Sequence, residues 1–172
     1  MDGLDAINWS DNDVIKWEFP AREDMPPVSI YWHHGGSGLP VPPDLTSNDI
    51  RRYNEIFYGS KGYLGTAGRG ESLGLIPASK QQGYQKPPQV LPRSPGHYLE
   101  WIEALKSKKP SSSDFSIAGL WAEWVTLGHI ALRFPGEKLN WDAENLKFTN
   151  NDKANEYIRP TYLKEWELKD IT

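Results

Sequence analysis

The stretch Asp114 to Phe134, DFSIAGLWAEWVTLGHIALRF, decides the fold class. Asp114 is suited to accept an orphan amide hydrogen at a helix start. Phe115, Ala118, Trp121, Val125, Leu127 and Ala131 then carry apolar character over several turns. Because the segment is nearly apolar all round, it predicts a helix buried deeply against another layer.

That layer lies upstream. Ser94-Pro95 is a good helix start, since Ser accepts an orphan amide hydrogen and Pro suits the first turn. With Leu99, Ile102 and Leu105 on one face, a helix is expected over 95–107, ended by KSKKPSSS. Before it the pattern is extended. Val14–Phe19 and Val28–Trp32 are rich in β-branched and aromatic residues, and the PAREDMPP between them suggests a hairpin. A Gly/Pro loop covers 33–48, and EIFYGSKGYLGTAG reads as strand, tight turn at Gly59–Gly62, strand. Leu73–Ile76 is a short candidate strand, and downstream KLNWD reads as strand and DKANEYI as helix. Strands followed by helices predict an α+β fold, a mostly antiparallel open β-sheet with helices packed on one face. With no internal repeat and no clean boundary, 1–172 reads as a single domain, with 1–13 a flexible or edge segment.

Composition narrows the function classes. Lys+Arg total 19 against Asp+Glu 23, a net charge of -4, which argues against a nucleic-acid surface. No apolar run approaches the roughly 20 residues that cross a bilayer, and no signal-peptide pattern follows Met1. The absence of cysteine removes disulfides, thiolate zinc sites and thiol nucleophiles and leaves the compartment open. The 8 Trp and 8 Tyr beside 15 Gly and 14 Pro suit a loop-rich domain pinned by aromatic rings, not a disordered chain.

Motifs are sparse. Gly68-Arg69-Gly70-Glu71-Ser72-Leu73 fails as a dinucleotide loop at its third glycine and leads into a strand, so no cofactor loop is read in this chain. Adjacent His33 and His34 point to opposite faces if extended. His97 and Glu100 have a helical spacing that could serve one ion, but without further ligands no metal site is predicted. His129 reads as a core or interface residue. Arg93-Ser94-Pro95-Gly96-His97 joins a cation, a hydroxyl, helix N-terminal amides and an imidazole, a corner suited to anionic or polyhydroxylated ligands. The plainer reading is a helix start with Arg93 paired to a local carboxylate.

The order of segments carries a resemblance. WEFPAREDMPPVSIYWHHGG, IFYGSKGYL, LIP, LPRSPGHYLEWIEALKS, the run from Ser113 to Tyr162 and the final EW resemble, in order, the C-terminal segment of Gfo/Idh/MocA oxidoreductases over Val14 to Trp166. The resemblance implies a two-domain enzyme for sugars or polyols. An N-terminal Rossmann domain would bind NAD or NADP and supply a catalytic lysine. The C-terminal domain would supply a histidine and an aspartate near the substrate, and a sheet face that pairs copies into dimers. The Rossmann domain, the lysine motif and the His/Asp segment have no counterpart here, so no catalytic and no cofactor-binding residue is assigned. Arg93 and His97 match the PRSPGH stretch and are the candidate substrate-binding residues. His33-His34 and His129 depart from the pattern. This chain alone is therefore expected neither to hold NAD(P)(H) nor to turn over a sugar. Its expected partners are a second copy, through the sheet face, and a sugar or polyol in the intact enzyme, with no nucleic acid and no membrane. Trp17, Trp101, Trp121 and Trp141 are expected between sheet and helices. The alternatives are a carbohydrate-binding module, motivated by the tryptophans, and a structural dimerisation domain.

Overall fold

The computed structural model describes residues 10–36, 38–159 and 162–166; most of the expected N-terminal segment 1–13 lies outside them. The fold is α+β with antiparallel strands. The span 1–172 is built from two compact units, Met1–Gly35 with Trp101–Thr172, and Gly36–Glu100.

In the first unit, β1 (Asp13–Phe19) pairs antiparallel with β2 (Val28–His34), with Ile15 opposite Trp32 and Trp17 opposite Ile30. Alternation puts Asp13, Ile15, Trp17 and Phe19 on the shielded face and Val14, Lys16 and Glu18 outside. Helix α3 (Phe115–Ala131) lies on the shielded face; α1 (Ser47–Ile50) and α2 (His97–Ser107) precede it in the chain. The Trp17 indole donates from Nε1 to the Trp124 carbonyl at 2.8 Å and meets the Trp124 ring edge to face at 5.1 Å. It also covers Gly128, where a Cβ would run into the indole. Asp114 caps α3 as its sequence predicts, accepting from the Ser116 amide at 2.9 Å.

The hairpin β6 (Trp141–Asp142) and β7 (Lys147–Phe148) follows, then the short α4 (Asp152–Asn155). Asn155 ties these together: its side chain accepts from the Phe148 amide at 2.7 Å and donates to the Phe148 carbonyl at 3.0 Å.

The second unit carries α1 (Ser47–Ile50) and the ladder β3 (Glu55–Gly59), β4 (Gly62–Thr66), β5 (Gly74–Ile76). Thr46 and Asp49 close a capping box over α1. Ile50, Tyr53 and Ile76 form its core, with Leu39, Leu45, Ile56 and Tyr63 around them. Tyr53 packs so closely on Gly65 that a Cβ there would enter its ring.

Four expectations change. The open sheet is divided into separate ladders of two, three and two strands. After β2 the chain turns away at Gly35, whose φ of +85° is a left-handed conformation that breaks the strand. The second change concerns α3, whose only buried residue is Gly128. A continuous apolar sequence records that a helix needs cover, and here β1 covers one side of it only. Among the tryptophans, Trp17 and Trp141 are half-buried, whereas Trp101 and Trp121 are 61% and 67% exposed. Helix α2 (His97–Ser107) starts two residues later than Ser94-Pro95 suggests and has no buried residue, so its Leu99, Ile102 and Leu105 face is open.

Candidate functional site

The C-terminal half of α3 forms one wall of a cleft of about 400 Å³ within the first unit. Glu123, Thr126, Leu127, Ile130 and the following Arg133 recur at spacings of three, one, three and three, which places them along one side of the helix. Trp141, Leu146, Tyr157 and Ile158 face them from the β6–β7 hairpin and the turn after α4.

The polar groups are oriented. Glu123 Oε1 accepts from Trp141 Nε1 at 2.7 Å, which fixes both the carboxylate and the indole. The Trp141 ring is held from the other side by Phe148, edge to face at 5.1 Å. Arg133 lies over the Tyr157 ring at 5.3 Å, a cation–π contact that pins its guanidinium at the cleft edge. The Thr126 hydroxyl turns back to the Ala122 and Glu123 carbonyls, each at 2.8 Å. His129, read from sequence as a core or interface residue, is exposed at the rim. Aromatic walls with a few placed polar groups are the usual make-up of a small-molecule site. A carboxylate to accept, a guanidinium to donate and two rings for an apolar face suit a ligand that is polar at its edges and apolar on its faces.

The sequence-predicted corner is built differently. Arg93, Ser94, Gly96 and His97 are all exposed. Ser94 accepts from the Gly96 amide at 3.1 Å and donates to Glu100, so it organises the entry to α2. His97 stacks tilted on Tyr98 at 4.0 Å. These contacts hold Ser94, Glu100 and Tyr98 in place; none joins Arg93 to His97. Sequence reasoning assigned no role to Glu123 and Arg133, although with Thr126 they form a polar line at spacings of three and seven along an otherwise largely apolar helix and the turn after it. Among the described residues, no group of three or more His, Cys, Asp or Glu is placed to hold a metal ion, and no helix is long and apolar enough to cross a membrane.

No family model matches this chain, and neither a curated protein nor a solved structure matches it.

Proposed function

We propose that this chain is the substrate-side and assembly part of a nicotinamide-dependent sugar or polyol oxidoreductase of the Gfo/Idh/MocA type. The observation that carries the reading is the cleft beside α3. Its Trp141 and Tyr157 rings offer apolar surface to a sugar ring, and Glu123 and Arg133 offer an acceptor and a donor to its hydroxyls. The ordered segments from Val14 to Trp166 support it from the sequence side. NAD or NADP would belong to the complete enzyme, with hydride passing between a carbinol carbon of the substrate and the nicotinamide. The role of this chain is to form pocket walls. Arg93 and His97 remain substrate-side candidates, open to solvent and adjustable.

The test is a calorimetric titration of the chain with a panel of hexoses and polyols, read beside Trp fluorescence. Saturable binding that Glu123→Gln and Trp141→Ala each weaken about tenfold is expected; no binding to any member sinks the reading. In the same assay NADH should give no saturable signal, and micromolar binding would mean that a cofactor site has been missed. The outer face of the β1–β2 hairpin, with Val14, Lys16, Glu18 and Tyr31, offers mixed polar and apolar surface for a homodimer. Sedimentation showing only a 19.6 kDa species would remove that pairing.

A second reading, a carbohydrate-binding module, is favoured by the exposed Trp32, Trp101, Trp121 and Trp166. Against it, Trp17, Trp124, Trp141 and their aromatic neighbours meet edge to face and do not form a flat platform. Glycan affinity that survives Trp141→Ala but not Trp101→Ala would favour the module.

A further inference from the structure

Helix α2 turns an apolar side to solvent. Tyr98, Trp101, Ile102 and Leu105 recur at spacings of three, one and three, which keeps them on one side of the helix; Glu100, Glu103 and Ser107 fall on the other. All four apolar residues are exposed, and no residue of the helix is buried. The charge beside them is of one sign. Three of the chain's 19 Lys and Arg, namely Lys106, Lys108 and Lys109, fall within four residues, and no Asp or Glu stands between Glu103 and Asp114. On a chain with a net charge of -4 this is a local cationic end. The helix dipole favours a cation in the last turn, and Lys106 fills that role. Lys108 goes further. Its φ of +55° is left-handed, and the Lys109 amide reaches back to the Ala104 carbonyl at 3.3 Å, a closure that ordinarily puts glycine at this position. Lysine there carries a backbone cost that glycine would not, so local folding does not account for it.

We infer that α2 docks flat on an anionic membrane surface, its apolar side in the headgroup layer and Lys106, Lys108 and Lys109 on the lipid anions. A helix that joins an aromatic and aliphatic side to lysines is built for the interface between lipid and water, and Trp and Tyr rings suit the headgroup level. Lys106 follows Leu105 and stands four residues after Ile102, so its stem covers apolar surface while its ammonium reaches outward. Glu100 and Glu103 stay turned to water, and the Ser94 hydroxyl donates to Glu100 on that side. The eleven residues span about 16 Å, far short of the roughly 30 Å of a bilayer core but enough to lie along its surface. Charge selects the occupant. The apolar side alone would suit many surfaces, whereas three neighbouring cations are drawn together by a surface that is anionic throughout. The expectation of no membrane rests on the lack of a spanning run, which an interfacial helix does not need. This goes beyond the sugar reading and is independent of it, since α2 contributes no residue to the cleft.

Co-sedimentation of the chain with vesicles of equal parts phosphatidylcholine and phosphatidylserine, and with phosphatidylcholine alone, tests it. Expected is binding to the anionic vesicles at low salt that weakens at high salt and is about tenfold weaker on the neutral ones. Trp101→Ala, and Lys106→Gln combined with Lys109→Gln, should each lower the partition coefficient about tenfold. Lys108→Gly separates lipid contact from a structural role: thermal melting should hold or rise, because glycine suits a φ of +55°, while vesicle binding falls. Absence of binding to the anionic vesicles at low salt overturns the inference. So does equal binding to the neutral vesicles, or binding that neither Trp101→Ala nor the lysine substitutions alter.

Discussion

Gly128 and Trp17 hold the first unit together through a contact that allows no side chain on one partner. The indole fills the space over Gly128 and spends its N–H on the Trp124 carbonyl. Gly128→Ala must push the indole away, and overpacking of this kind costs about 1–3 kcal/mol. Urea denaturation should register that loss, whereas Gly119→Ala, in open space, should be neutral or stabilising. The close approach was not legible in the sequence, where Gly119 and Gly128 look alike. Only the partner strand distinguishes them. The same holds for the cleft: the Glu123, Thr126, Ile130 and Arg133 spacing was readable, but the hydrogen bond to Trp141 joins residues 18 apart and depends on the intervening turn. Arg93 and His97 were singled out because their residue types converge in sequence, and exposure leaves both without a shaped surface around them.

At the scale of elements, local signals were the legible ones. The β1–β2 hairpin, the tight turn at Gly59–Gly62 and the Asp114 cap all stand where composition placed them. Grouping of strands into ladders was not legible, because it depends on where Gly35 and the following loop send the chain. The hairpin also carries a charge device. Glu18 lies between Lys138 at 2.6 Å and Lys16 at 2.8 Å, and hydrogen bonds from Lys138 and then Lys16 pull its carboxyl down to about 2. A depressed carboxyl stabilises the fold above its ordinary value of 4.5, and that contribution is lost as pH falls toward 2. Both lysines are exposed, so salt should screen the effect. Glu18→Gln should therefore narrow the stability difference between pH 5 and pH 2.5 at low salt and change little at high salt, measured by thermal melts. An unchanged acid slope would mean that the ion pairs contribute nothing. Asp114→Ala tests the cap in the same melts, with a loss of about 0.5–2 kcal/mol expected.

At the scale of the whole chain, the unit Gly36–Glu100 is one continuous piece set between two parts of the other unit. It has its own core in Ile50, Tyr53 and Ile76, whereas the buried apolar side chains Ile15, Leu132 and Phe148 belong to the first unit. Cores that share no residue predict separate cooperative units, because opening one exposes only its own apolar surface. Ile76 is the sharpest probe, at 0% exposure at the end of β5, where it pairs with Tyr63 of β4. Ile76→Ala removes methyl groups from a site with little room to relax, a change that costs about 2–5 kcal/mol. Hydrogen exchange followed by mass spectrometry should then show β3, β4 and β5 losing protection while β1, β2 and the C-terminal half of α3 keep theirs. Trp17→Ala is the reciprocal experiment, loosening β1 and α3 and sparing β4, since it removes the indole that covers Gly128 and bonds to Trp124. If either substitution releases all of these elements together, the chain unfolds as one body despite its divided core. That outcome would make the loop at Gly36 and the first turn of α2 at Glu100 couplings, not boundaries.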